Sequence, residues 1–188
     1  VYDIIDLRND LFCVISYDNR DTNIKSRDSR NFPLVYSIYR NSHSIVSGRL
    51  IPEISDRSEY KGSFANNNYW GIFTQKVLYG KGVIKVQVYR NDGKYIGEQI
   101  LEEGQLFANK KKDKCIIQNK GNLSIWVLNE KGRFINSAQI DIGSDQLIDY
   151  DFGNEEIFAI TMASDNFFLS KWSIKDRENK NNTISVHR

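Results

Sequence analysis

The sequence predicts an all-β chain of four blade-like repeats, and three observations carry that prediction. Gly82 to Ile96, GVIKVQVYRNDGKYI, aligns without a gap on Gly121 to Ile135, GNLSIWVLNEKGRFI, at an offset of 39 (121 − 82). Each copy is an alternating apolar stretch, a turn ending in Gly93 or Gly132, and a second apolar start, which is the pattern of a strand, a hairpin and the next strand. The 188 residues include 10 Tyr, 10 Phe and 3 Trp, and such side chains suit a pleated, half-buried surface. A repeat of about 40 residues made of strands is the pattern of a β-propeller blade, because one small sheet buries its faces only by stacking on neighbours.

The register then extends along the chain. In the first unit, about residues 1–54, strands are expected near Tyr2 to Leu7, Leu11 to Tyr17, Leu34 to Tyr39 and Ser44 to Ile51. Tyr36 to Asn41 matches Val86 to Asn91 at an offset of 50 (86 − 36), which sets the third of these strands. The second unit, about 55–102, places them near Tyr60 to Ala65, Tyr69 to Leu78, Val83 to Tyr89 and Tyr95 to Leu101. The third, about 103–143, places them near Gln105 to Ala108, Lys114 to Gln118, Leu123 to Leu128 and Phe134 to Ile140. In the fourth, about 144–188, they fall near Gln146 to Phe152, Glu156 to Met162, Phe167 to Ile174 and Thr183 to His187. Here Leu169 to Ile174 matches Leu123 to Leu128 at an offset of 46 (172 − 126). Uneven offsets point to loop insertions between equivalent strands and not to a rigid solenoid. No segment carries a sustained helical period.

Pro33 and Pro52 are the only prolines, and both fall at a strand start or in a loop, where a missing donor is tolerated. No apolar run approaches the roughly 20 residues of a membrane helix. Closed propellers hold about four to eight blades and most known ones six to eight, so four units suggest an incomplete ring. The pattern opens at Val1 inside a strand, without an initiator Met or a leader. The expectation is a propeller segment of a longer protein, with further blades or a partner chain covering its exposed sheet edges.

Two polar segments are candidate protein-binding sites. Asp18 to Asn31, DNRDTNIKSRDSRN, lies between the second and third strands of the first unit, with Ile24 its only apolar residue. Such a segment is a solvated loop by default. A functional role would use Arg20, Lys25, Arg27 and Arg30 to hold an acidic partner, with Ser26 and Ser29 as phosphorylation sites that reverse the local charge. The second segment is the basic run Lys110, Lys111, Lys112, Asp113, Lys114, where lysines keep a sheet edge soluble. With 26 basic and 24 acidic residues the net charge is +2, too small a positive field for a nucleic-acid-binding domain.

Catalytic and metal constellations do not emerge from the sequence, so no catalytic residue, metal ligand or cofactor is assigned. His43 and His187 have no Ser, Cys or Asp pattern around them that marks a nucleophile and its base. Cys13 and Cys115 stand 102 residues apart (115 − 13) in apolar strand contexts, which suits free buried thiols in a reducing compartment and leaves a disulfide possible. Glu102-Glu103 and Glu155-Glu156 are neighbours that a strand sends to opposite faces, so neither pair makes a general acid and base.

The stretch Leu147 to Asp176, LIDYDFGNEEIFAITMASDNFFLSKWSIKD, resembles a WD-repeat blade: two apolar strands, a Ser-Asp-Asn turn, and a strand ending in Trp172-Ser173-Ile174. Trp126 holds the equivalent place in the third unit, while Gln87 and Ser37 replace it in the second and first. The family's Gly-His pair is missing and Trp-Asp is kept at neither Trp172 nor Trp126. The resemblance implies a non-catalytic scaffold that presents loops to other proteins of a multi-subunit assembly, while the free buried thiols point to an intracellular place for it, cytoplasm or nucleus. Hairpins at Asn91 to Gly93 and Asn129 to Gly132 would share one face, and loops between second and third strands the other.

A rival is a carbohydrate-binding module. Gln118 to Trp126, QNKGNLSIW, is similar to the mannose-binding signature of bulb-type lectins in Gln118 and Asn122, but Lys120 stands for the Asp and Trp126 for the Tyr. A third alternative is the non-catalytic part of a propeller enzyme. Asn122-Leu123-Ser124 and Asn181-Asn182-Thr183 would be glycosylation sequons in a secreted chain, yet Asn122 opens a strand, a poor place for a glycan.

Overall fold

Alternating apolar side chains drive the described part of this chain into strands. The computed structural model describes residues 3–17, 34–50, 58–78, 81–108, 113–153, 156–164 and 166–173. Among them are fifteen strands and no helix. The first sheet holds β1 (Asp3–Arg8), β2 (Leu11–Tyr17), β3 (Leu34–Arg40) and β4 (His43–Arg49). The second holds β5 (Ser58–Ala65), β6 (Tyr69–Leu78), β7 (Lys81–Arg90) and β8 (Tyr95–Glu103). β9 (Gln105–Ala108), β10 (Lys114–Asn119), β11 (Asn122–Leu128) and β12 (Phe134–Asp141) form the third. The fourth holds β13 (Gln146–Phe152), β14 (Glu156–Ala163) and β15 (Asn166–Ser173). The expected sixteenth strand, Thr183 to His187, lies outside the described residues.

Every sheet is an antiparallel meander in chain order, so the all-β expectation and its division into small antiparallel sheets hold. The 39-residue repeat maps onto β7–turn–β8 and β11–turn–β12.

The sheets stack in sequence, each through one apolar cluster. Ile5, Leu7, Cys13, Ile15, Tyr36 and Ile38 of the first sheet meet Ala65, Trp70, Ile72 and Tyr89 of the second. On its other side the second sheet sends Phe64, Phe73, Ile84, Val86 and Val88 against Cys115, Ile117, Leu128 and Phe134 of the third. Ile116, Leu123 and Ile125 then meet Leu147, Phe152, Ile157 and Ala159 of the fourth. At each of these three junctions the trailing face of one sheet packs on the leading face of the next. Full burial of one such side chain stabilises by about 1.5–3 kcal/mol, so each cluster outweighs any single polar contact at its rim.

Polar bonds set the alignment. The buried carboxylate of Asp3 on β1 accepts from Ser63 Oγ at 2.7 Å and from the Tyr60 hydroxyl, both on β5. Arg8 Nη1 donates to Asn67 Oδ1 at 2.8 Å, so β1 and β5 run side by side in the same direction. Gln75 of β6 donates to the carbonyl of Gly104, at the start of the third sheet. Gln118, on the second strand of the third sheet, repeats this device: its amide donates to the Asp145 carbonyl and accepts from the Leu147 N–H. At the outer strands Gln99 donates to the Phe134 carbonyl at 2.7 Å and accepts from the Phe134 N–H at 3.1 Å.

The repeated turn glycines have a packing reason as well as a conformational one. Gly93 and Gly132 have φ of 86° and 73°, the left-handed region that a side chain disfavours. Each turn also docks on the preceding sheet: Tyr36 donates its hydroxyl to the Gly93 carbonyl and Tyr69 donates to the Glu130 carbonyl. A β-carbon on Gly93 would stand 2.7 Å from Val46 Cγ1. The matching turn of the first sheet is shorter, Asn41 and Ser42 alone, both at positive φ.

Candidate interaction faces

Four sheets stacked in a row create three junctions and leave two faces over. These are the leading face of the first sheet and the trailing face of the fourth, and among the described residues no strand pairing or apolar cluster joins them.

Cross-strand register builds the first open face. Ile4 pairs with Val14 and Asp6 with Phe12 across β1 and β2; Phe12 pairs with Tyr39, and Val14 with Ser37, across β2 and β3. Ile4 is 60% exposed, and Phe12, Val14, Val35 and Tyr39 are half-buried. The rings of Phe12 and Tyr39 stack at 5.2 Å between centroids, 9° from parallel. The second sheet carries the same device one junction further on. Trp70 and Tyr89 are paired across β6 and β7 and stack at 4.4 Å, 13° from parallel. Tyr39 and Tyr89 are equivalent in the 50-residue register. Trp70 and Tyr89 lie fully buried beneath Tyr36 of the first sheet, whose ring meets Trp70 edge-on at 5.1 Å.

The second open face is more apolar. Ile160 pairs with Leu169, Phe158 with Lys171 and Met162 with Phe167 across β14 and β15, all on the trailing side. Leu169 is 66% and Phe167 67% exposed. The residues equivalent to Leu169 in the first three sheets, Leu34, Ile84 and Leu123, are 6%, 0% and 0% exposed. The position is thus apolar in all four sheets and covered in three. Asp149, Asp151 and the ion pair of Lys171 with Glu156 at 2.7 Å rim this face. Exposed apolar side chains inside a polar rim are the arrangement common to protein-binding patches.

The other candidates have structural duties or fall elsewhere. Arg20, Lys25, Arg27, Arg30, Lys110, Lys111 and Lys112 all lie outside the described residues. The strand ends that flank the two segments, Tyr17 and Leu34 against Ala108 and Lys114, sit at opposite ends of the sheets. Lys114 itself opens β10 and holds its ammonium 5.6 Å from the Phe152 ring centre. Gln118, the residue of the lectin comparison, commits both ends of its amide to the backbone of the fourth sheet's start. Trp126 donates its indole N–H to Glu102 at 2.8 Å. His43 is exposed and bonds only its own turn, at Asn41. A depression of about 490 Å³ between the second and third sheets is lined by Lys61, Gln75, Gly82, Gly104, Gln105 and Leu106; Lys61 pairs with Glu59 at 2.9 Å.

Cys13 and Cys115 are free and buried, in the first and third sheets. Burial raises both thiol pKa values, with the nearby charges of Asp3 on Cys13 and Glu102 on Cys115 adding to it. Both therefore stay protonated and unreactive at neutral pH. Burial also raises the Tyr150 phenol, helped by Cys115, Asp149 and Asp151. Among the described residues no group of three His, Cys, Asp or Glu side chains is placed to hold a metal ion, and no helix is long and apolar enough to cross a membrane.

The open faces were not legible as such in the sequence, because alternation gives every strand two apolar-capable sides. The signal that finds them is the register: an apolar position repeated in all four units implies a cover in all four. No protein-family model matches the chain, and no curated protein is significantly similar to it.

Proposed function

We propose that this chain is a non-catalytic scaffold of propeller-blade type, intracellular, whose end sheets bind protein surfaces within a larger assembly. The observation that carries this reading is the trailing face of the fourth sheet, where Leu169 occupies a position buried in the other three sheets and stands 66% exposed. Sequential stacking, the parallel first strands and the outermost exposed pattern of β4 favour blades over a two-layer sandwich. Free buried thiols suit a reducing compartment.

The test is a photoreactive phenylalanine analogue installed at Phe167 or Phe12 in the native cell, with Gln139, exposed on β12, as control. The expected result is a discrete crosslinked protein from the face positions that is absent from the control. Equal or no crosslinking at all three positions would remove the scaffold reading.

A further inference from the structure

We propose that the end of the sheets bearing the Gly93 and Gly132 turns carries a basic rim that binds an extended, acidic segment of a partner protein. The rim is made by turns inside the chain. It therefore stands apart from the two open faces and from the reading built on them, whether or not other sheets adjoin the first and the fourth.

The register puts these turns in one row. At one end of the first sheet Arg8 pairs with Leu11, Leu11 with Arg40 and Arg40 with His43. The matching end of the second sheet holds Arg90, whose N–H donates to the Lys94 carbonyl, and that of the third holds Asn129, whose N–H donates to the Arg133 carbonyl. The turns of the second and third sheets each nest on the outer strand of the sheet before. A β-carbon on Gly93 would meet Val46 of β4, and one on Gly132 would stand 3.3 Å from Ile96 of β8. With Tyr36 bonded to the Gly93 carbonyl and Tyr69 to that of Glu130, the three turns form one continuous edge.

That edge is positive. Arg40, Arg90, Lys94, Lys131 and Arg133 lie exposed on it, against Asp92 and Glu130. Five cations against two acids leave a surplus of three, more than the +2 of the entire chain. Described residues of the inner turns at the same end add none, Arg8 standing with Asp10 and Lys114 with Asp113. The surplus also has a direction, because β8 and β12 follow directly on Lys94 and Arg133 and finish near Glu102, Glu103 and Asp141. It repeats with the fold: Lys94 and Arg133 are equivalent in the 39-residue repeat, and Arg40 and Arg90 in the 50-residue register. Among the described residues the side chains of Arg40, Lys94, Lys131 and Arg133 enter no ion pair. Arg90 reaches Asp92 at 3.4 Å with both side chains exposed, a contact that water makes weak.

Spacing selects the partner. Packed sheets stand about 10 Å apart and an extended chain advances about 3.3 Å per residue, so one sheet step spans about three residues of ligand. Carboxylates at every third residue of an extended segment would meet the cations of the rim in turn, each arginine taking one as a bidentate pair. A nucleic-acid backbone, with its denser phosphates, needs a larger positive field than this surplus provides.

The experiment is fluorescence anisotropy of a labelled peptide of about twelve residues, with glutamate at every third position and glycine and serine between, titrated with the full 188-residue chain. Expected is saturable binding that weakens as salt rises. Arg133→Glu weakens it about tenfold or more, whereas Lys120→Glu, the same change of charge at an exposed residue on the opposite end of the sheets, leaves it within about twofold. An unchanged circular dichroism spectrum shows that each variant folds. No binding, equal loss from the two variants, or tighter binding of a single-stranded oligonucleotide of matched length overturns the rim as a site for an acidic protein segment.

Discussion

The stacked pairs Trp70–Tyr89 and Phe12–Tyr39 are nearly the same object in two settings. Both join the second and third strands of a sheet, both lie within about 15° of parallel, and both face the leading side. The first pair is sealed under a neighbouring sheet and the second is half open. The contrast teaches that this fold decides the worth of a residue less by its strand than by whether the next sheet arrives on top of it.

The sharpest way to break the comparison is truncation. Trp70→Ala removes a fully buried indole and is expected to cost about 3–5 kcal/mol, whereas Phe12→Ala costs about 1 kcal/mol in the isolated chain. Urea denaturation measures both, and equal costs would mean that the covering sheet contributes little. Trp70→Phe sharpens the point: the indole N–H is buried with no acceptor, so its loss removes a desolvation penalty and the variant stays within about 1 kcal/mol of wild type.

Next in size is the turn that locks one sheet on another. Gly93→Ala forces a side chain into positive φ and against Val46, and is expected to cost roughly 1–3 kcal/mol. Gly97, with nothing within 4 Å of a β-carbon placed on it, is the control, and Gly97→Ala leaves the urea midpoint nearly unchanged.

The smallest effect at neutral pH is the thiol one. Cys13 and Cys115 have raised pKa values when folded, so their contribution is fully present below the ordinary thiol value of 9.0 and fades as pH rises above it. There the unfolded chain sheds protons that the folded chain keeps, and stability falls by up to about 1.4 kcal/mol per pH unit for each thiol. Cys115→Ala halves that alkaline slope in denaturant melts. A cysteine at Val14, on the open side of the same strand as Cys13, reacts with a maleimide within the time that Cys13 stays intact.

Much of this architecture could be read before any coordinates. The strands at Leu11–Tyr17, Tyr69–Leu78, Gln105–Ala108 and Gln146–Phe152 fall where alternation and turns place them. The glycine of the repeat marks a turn in both copies, because only a residue without a side chain fits there. Bulges were hidden, since an extra residue such as Ile45 or Ile148 changes no composition and no spacing rule, yet shifts the register within β4 and β13. The basic segments drew notice by charge alone, while the open faces are made of residues that look like core. Periodicity reports that a side is apolar; whether anything covers it depends on how many sheets follow.

The three apolar clusters share no residue, and each belongs to one neighbouring pair of sheets. Folding information thus travels only from one sheet to the next, as in a linear array with nearest-neighbour terms. Amide protons of β14 and β15 will exchange earliest and those of β6 and β7, held from both sides, latest. Opening of such an array starts from its ends, and closing those ends onto one another would turn a fraying stack into a unit with nowhere to begin.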